Sequence, residues 1–526
     1  MYKGKRNRPK RKAPPHRVNN SLATRMRKVG PDHFGLLLVD SGKEHYTVRL
    51  TNFYGDILWE PEPVPCRKGA LEKLIADARN QMGEHGLVES VVGIERTGRW
   101  HEPIKQMLKT NWPVKMVHPF TTKQLRQPAS PGIKTDKVDL TAMQRAMVCG
   151  YGLDDPEVPL LWLELRELSR YRADLVGTRA SLKAQCKCRM EALIPGYTSL
   201  FEDFWKSAAP AALIEAYPSA RKMLRAPAEK MVRKLAKAGT TCQRSTAERA
   251  RLWAAQAAPA DPVGELNAIM LHDSLGRVRQ QSACAVCYEV RLMERLVRTP
   301  LVLLLTITGV NVVSAAGFGS EMGPHENYAN GRNVTGRAGL FPSRYQSDET
   351  DRSGPIVRAG RNARLRHAIL VIAHNLLTRN PYVRAWKALP AHRRWGGKTA
   401  EVAVGNKFVR IMFRMLREGA VFEHPQAGRQ DSAICKLLAF GRERKLTEEQ
   451  LYDLAAQALD QLPDNALPFE LRSLLDDGWN GRRNSPRPTA TPSRRAARRP
   501  VCVAGIIQDI ERRIAAKQGG HPSADS

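Results

Sequence analysis

Apolar positions in the first third of the chain fall into short runs whose period changes repeatedly. FGLLLVD (34–40) is an almost unbroken apolar run closed by an acid, the pattern of a strand buried on both faces. YTVRLTN (46–52) alternates apolar and polar residues, and ILWEPEPV (57–64) completes a predicted antiparallel meander. Then the period lengthens: ALEKLIADARNQM (70–82) reads as a helix, LVESVVGIE (87–95) as a strand, HEPIKQMLK (101–109) as a helix and VKMVHP (114–119) as a strand. The order βββαβαβα is that of a ribonuclease-H-like α/β domain, so residues 32–157 are expected to form a mixed sheet covered by helices.

Beyond it the helical period dominates. Residues 158–195 predict one long helix on which Leu161, Leu165, Leu168, Leu175 and Leu182 draw a single apolar stripe. A coiled-coil seam between subunits is the expected use of that stripe, with packing on its own domain the alternative. Residues 200–300 are Ala- and Arg-rich and read as a helical insertion, so 158–300 forms one region of coiled coil and insertion. A mostly α unit is expected over 301–422, opening with LVLLLTITGVNVVSAAGFGSEMG. Residues 423–526 read as a basic, flexible C-terminal extension, with a short helical pattern at 447–462 and a Pro/Arg-rich stretch at 481–500. At the other end, residues 1–30 hold eleven Lys or Arg, three Pro and no acid, so 1–31 is expected to be a disordered basic arm.

Charge narrows the partners. A net charge of +32 and a pI near 10.1 over 526 residues fit a protein that meets a polyanion, nucleic acid ahead of an anionic membrane surface. No stretch approaches the roughly 18 apolar residues needed to span a bilayer. The basic N-terminus lacks the apolar segment of a secretion signal, which predicts a cytoplasmic protein. The nine cysteines include Cys186/Cys188 and Cys284/Cys287, but no second pair completes a zinc ligand set, and buried reduced thiols are expected.

Chemistry enters with four carboxylates. Asp40 and Glu95 each close a predicted strand, and strand ends on one edge of such a sheet meet at a site. Asp136 and Asp139, in KTDKVDL, stand three apart at the start of a predicted helix and share a face. Each acid alone would pass for a turn or helix-cap residue. Together they would repel one another unless cations lay between them, and hard oxygen ligands select Mg²⁺ or Mn²⁺. Such ions assist phosphoryl transfer on a polynucleotide.

The segments LLLVDSGKEHYTV, VVGIERTGRWH, GIKTDKVDL, LRELSRYRADLVGTRASLKAQ, GLFPSRYQSD and VRAGRNARLRHAIL resemble, in order, the transposases of the insertion-sequence one-ten family, across about 34–195 and 300–390. The resemblance implies a RuvC-like domain whose metal-binding quartet is Asp40, Glu95, Asp136 and Asp139, a coiled coil that mediates dimerisation, and a transposase domain supplying Ser347 as nucleophile. It further implies a dimer or tetramer that recombines donor and target DNA under the direction of a structured non-coding RNA. The family commonly has glycine after the serine, where this chain has Asp348, with Glu349 and Asp351 beyond; Ser343 and Ser353 are the alternatives to Ser347. The element usually reading Pro-Gly-Ile-Gly is Thr308-Gly309-Val310-Asn311 here, and the missing second glycine weakens a backbone contact to phosphate.

A serine hydroxyl needs activation before it attacks phosphorus, and no histidine lies close to Ser347 in sequence. Two other readings therefore stand beside the recombinase: a metal-dependent endonuclease of the junction-resolving kind, in which water attacks, and a degraded transposase that only binds nucleic acid. Arg358, Arg361, Arg364 and Arg366 cluster at a predicted helix start and, with Arg344 and Lys134, are candidate phosphate contacts. Trp100 and Tyr345 are assigned to core packing, with base stacking the alternative.

Overall fold

The computed structural model describes residues 21–126, 132–347, 350–423, 431–476 and 512. Most of the expected basic arm, Asp348 and Glu349, and the Pro/Arg-rich stretch at 481–500 lie outside the described residues. Two compact units result, 1–157 and 158–526.

The first unit is a seven-stranded sheet of order β3-β2-β1-β5-β6-β7, with β4 (Val64–Pro65) also paired to β2. Its strands are β1 (Phe34–Ser41), β2 (His45–Asn52), β3 (Ile57–Trp59), β5 (Glu89–Glu95), β6 (Val114–Val117) and β7 (Leu153–Asp154). β1, β5 and β6 run parallel, while β2, β3 and β7 run antiparallel to their neighbours, giving the mixed sheet that the run order predicts. Alternation sorts the residues of β1: Leu37 and Val39 face one layer and Leu36 and Leu38 the other, all fully buried. Each such side chain contributes roughly 2 kcal/mol through its removal from water.

Helices α2 (Lys68–Glu84) and α3 (His101–Leu108) cover the first face through Leu71, Leu74, Ile104 and Leu108. The second face holds α5 (Asp136–Val148), with Leu140, Met143 and Met147 against the sheet, and is joined by α1 (Ser21–Val29) through Leu22. α1 corrects the expectation for 1–31: Leu22, Met26 and Val29 form an apolar stripe, so the last part of the basic arm packs on the domain. Helix α4 (Pro119–Arg126) follows β6 directly. A Cβ on Gly93 would stand 3.1 Å from Met147 and 3.2 Å from Leu38, so glycine in β5 sets how closely α5 approaches.

The second unit is almost wholly helical. α6 (Leu160–Leu193) is the long helix of the sequence pattern, and α11 (Gly264–Leu296) runs antiparallel beside it. Arg295 pairs with Glu164, Arg172 with Glu289, and the Tyr171 and Tyr288 rings meet at 4.6 Å. The stripe expected as a seam between subunits is thus used in part within the chain: Leu165 and Leu168 join the large core and Leu182 a smaller one. That smaller core holds α7 (Ala209–Ala216), α8 (Ala220–Arg225), α9 (Ala228–Lys237) and α10 (Arg244–Gln256).

The large core gathers the 3-10 helix Pro300–Thr306, α12 (Val312–Met322), α13 (Gly331–Ala338), α14 (Ala363–Arg379), α15 (Pro381–Ala388) and α16 (Gly397–Glu418), with one exposed hairpin, β8 (Pro342–Ser347) and β9 (Thr350–Ile356). It extends past 422. α17 (Ala433–Glu443), α18 (Glu448–Leu459) and α19 (Leu467–Asp476) bury Ile434, Leu437, Leu438, Leu451, Ala455, Leu459 and Leu467 in the same core. The flexible extension expected from 423 is therefore corrected for 431–476: the apolar face of these short helices is folded, although polar residues surround it in sequence. Cys186 and Cys242 are buried, as expected, but Cys66, Cys149, Cys188 and Cys287 are exposed thiols. No described helix is long and apolar enough to cross a membrane.

Candidate active site

Asp40 and Glu95 meet because β1 and β5 are parallel neighbours in register, with Val39 opposite Ile94, so each strand delivers its acid to the same edge of the sheet. Asp139 arrives from the other direction. Thr135 caps α5 by accepting a hydrogen bond from the Val138 amide, which leaves Asp136 in the first turn and carries Asp139 under the helix onto the strand ends. Ligand oxygens of Asp40, Glu95 and Asp139 lie within 4.8 Å of one another. Asp136 stands apart from this triad: it is exposed, accepts a hydrogen bond from Thr47 Oγ1 at 3.2 Å, and lines the rim of the same cleft of about 970 Å³.

The cluster pays an electrostatic penalty as it stands. Burial raises the Asp40 carboxyl above its ordinary range, with Asp136 and Asp139 adding repulsion and Lys134 on the rim opposing it. Burial and the neighbouring Asp40 push Glu95 up to about 7. A proton is therefore held between Asp40 and Glu95 near neutral pH. The hydroxyl of Ser41, lining the cleft, is buried and without a hydrogen-bond partner among the described residues, and Thr122 sets its hydroxyl beside Glu95. Three converging carboxylates with the unspent Ser41 hydroxyl beside them fit a hard divalent cation, which would replace that proton.

Arg126, at the end of α4, donates to Asp139 and was not foreseen from the sequence. It is one of 84 Lys and Arg, and only the packing of α4 on α5 distinguishes it.

In the second unit, Ser347 ends β8 and faces Thr350 across the hairpin, exposed on the surface. Ser343 and Ser353 are farther down the same hairpin. Arg344 is held by both oxygens of Asp351, at 2.9 and 2.7 Å. The predicted arginine cluster is spread out. Asn362 caps α14, so Arg358 and Arg361 precede the helix; Arg361 lies over Phe341, Arg364 pairs with Asp174, and Arg366 donates to the Ala338 carbonyl. Arg358 is exposed. Trp100 and Tyr345, assigned to core packing, are instead 45% and 65% exposed. Asn311, in place of a glycine, caps α12 reciprocally with Ser314 and keeps the turn after Gly309 tight.

A mixed sheet of ribonuclease-H-like order, with acids at the ends of its central parallel strands and a third from the following helix, defines a domain of the DEDD phosphoryl-transfer class. A transposase profile of the DEDD, IS110 type matches residues 39–195, and one described as transposase, IS116/IS110/IS902 family, matches residues 302–387. The chain belongs to the IS110-family transposases and is a DNA transposase. No curated protein matches it.

Proposed function

We propose that this transposase is an RNA-guided DNA recombinase that cuts and rejoins strands through Ser347, with an acidic quartet in which Asp40, Glu95 and Asp139 bind the metal and Asp136 stands beside them at the rim. The convergence of Asp40, Glu95 and Asp139 at the strand ends carries the reading. Mg²⁺ or Mn²⁺ held there supplies charge neutralisation for a phosphodiester oxygen. Asp40, Glu95 and Asp139 hold the ion, Asp136 adds negative charge at the rim, and Lys134 offers the DNA a cation.

The Ser347 oxygen forms a bond to phosphorus as the bond from phosphorus to a deoxyribose oxygen breaks; the departing sugar oxygen takes up a proton and the serine gives one up. The resulting phosphoserine link keeps the energy of the phosphodiester, so the reverse attack by another strand's hydroxyl completes an exchange. The exposure of the Ser347 hairpin supports access to a duplex. Arg358, Arg361, Arg364 and Arg366 surround the start of α14 as phosphate contacts, with Arg344 holding the hairpin through Asp351. A dimer or tetramer in the cytoplasm, carrying a structured non-coding RNA that pairs with donor and target, completes the reading.

The test is a reaction with element-end DNA and the co-purified RNA, stopped in denaturant. Protein-linked DNA that disappears with Ser347→Ala supports the recombinase. Free DNA ends from both proteins would overturn the serine and leave a water-using endonuclease.

A further inference from the structure

Residues 352–400 contain eleven Lys or Arg and no Asp or Glu, and only the first part of this run serves the start of α14. The rest gathers at the opposite end of that helix, about 25 Å away at 1.5 Å per residue. There the link between α15 and α16 is unusually organised for a surface loop. His392 and Arg393 amides donate to the Leu389 carbonyl at 2.8 and 2.9 Å, and the Trp395 amide to the His392 carbonyl at 3.0 Å. Lys387 spends its ammonium inside the loop, on the carbonyls of His392 and Arg393.

The rings of Trp386, His392 and Trp395 form a cluster with centroids 4.3 to 5.5 Å apart, and Lys407 lies 4.7 Å from the Trp386 ring centre. This framework presents Arg384, Arg393, Arg394 and Lys398, all exposed and, among the described residues, without an acidic partner. The nearest acid in sequence, Glu401, is engaged by His374 at 3.0 Å. By contrast, several exposed arginines elsewhere in the unit are paired, as in Arg344 with Asp351 and Arg414 with Glu418.

Fixing a loop costs conformational entropy, and concentrating uncompensated charge on it costs more, so the arrangement fits a bound polyanion. Aromatic rings among the cations select what kind: a closed duplex shows phosphates but hides its base faces, whereas unpaired bases can stack on Trp395. Since the chain acts on DNA, we infer that the α15–α16 loop is a binding site for an unpaired DNA strand, separate from the arginines at the start of α14. Arg384, Arg393, Arg394 and Lys398 hold its phosphates, and the Trp395 ring stacks on a base.

The test measures equilibrium binding of the full chain to labelled oligothymidine, to its duplex with oligodeoxyadenosine, and to oligouridine, by fluorescence anisotropy across a salt series. Arg393→Ala with Arg394→Ala is expected to weaken oligothymidine binding about tenfold or more and to flatten its logarithmic salt slope by about 1.4, at about 0.7 per lost contact. Trp395→Ala is expected to weaken oligothymidine binding roughly tenfold with little change on the duplex, and Trp395→Phe to restore it. Should Trp395→Ala disturb folding, the arginine pair and the Phe variant decide. Unchanged binding, equal losses on strand and duplex, or losses confined to oligouridine would each overturn the inference. The assay reads binding without any strand cleavage, so failure here is distinct from failure of the serine mechanism.

Discussion

Arg126 donates from its guanidinium to the carboxylate of Asp139, and the two side chains retain only 11% and 4% of their exposure. An arginine from α4 thus lends a positive charge to one corner of the acidic cluster, at the same carboxylate a divalent ion would use. Arg126→Gln removes that competitor. Its affinity for Mn²⁺, read by titration calorimetry, is expected to rise about tenfold, which is about 1.4 kcal/mol. The metal-free protein should lose about 3 kcal/mol, since breaking a buried pair leaves the acid uncompensated. Unchanged affinity and stability would mean that Arg126 is a bystander.

Asp136 and Asp139 should separate in the same calorimetric assay. Asp139→Asn takes a carboxylate out of the triad and is expected to lower Mn²⁺ affinity by about a hundredfold or more, whereas Asp136→Asn, at the rim, should cost about tenfold or less. Equal losses would place both acids on the ion.

Acidity gives a third prediction. Glu95 has its folded value raised to about 7 from 4.5, so the folded chain binds a proton more tightly than the unfolded one. That stabilisation is complete below pH 4.5 and is lost as pH rises through 7. The melting temperature of the metal-free protein should therefore fall between about pH 5 and pH 8 by an amount that Glu95→Gln reduces. Saturating Mg²⁺ should flatten the same slope, because the ion takes the place of the proton. A slope identical in Glu95→Gln would contradict the assignment.

Lys436 tests whether 431–476 is integral to the second unit. Its ammonium donates to the carbonyls of Leu305, Ile307 and Val310 at 2.7, 2.9 and 2.8 Å and pairs with Asp431 at 2.9 Å, fastening α17 to the turn ahead of α12. Burial pulls its affinity for a proton down, yet the Asp431 carboxylate favours the charged form. Lys436→Met is expected to destabilise the protein by about 3 kcal/mol in urea unfolding, at roughly 1 kcal/mol per lost hydrogen bond. A change within about 0.5 kcal/mol would show the contact to be incidental.

The central strands were legible because β1 and β5 run apolar to an abrupt end, and those ends are Asp40 and Glu95. Helical spacing puts Asp136 and Asp139 near one another on α5, but it does not say which turn reaches the strand ends; the Thr135 cap decides that. Spacing was equally silent on the partner of α6, since an apolar stripe looks the same whether a second subunit or α11 covers it. The folded part of the tail was hidden by composition. In ERKLTEEQLYDLAAQALDQL the apolar residues of α18 are diluted by charge and only their positions, not their number, mark a buried face. Trp100 and Tyr345 erred the other way, because large aromatic rings are usually buried and these two are not.

The antiparallel pair of α6 and α11 has a topological consequence. At 34 and 33 residues each helix is about 50 Å long, and the four helices between them pack against one end of the pair, on Cys186 and Met190 of α6 and on Leu271 and Leu275 of α11. The chain leaves and re-enters the pair side by side, where the Asp261 amide donates to the Ala192 carbonyl at 3.0 Å. Everything from Pro195 to Pro259 is therefore a head clamped on a fixed handle: its solvent-facing parts can vary in evolution, but whatever replaces it must still cover those residues of the two long helices.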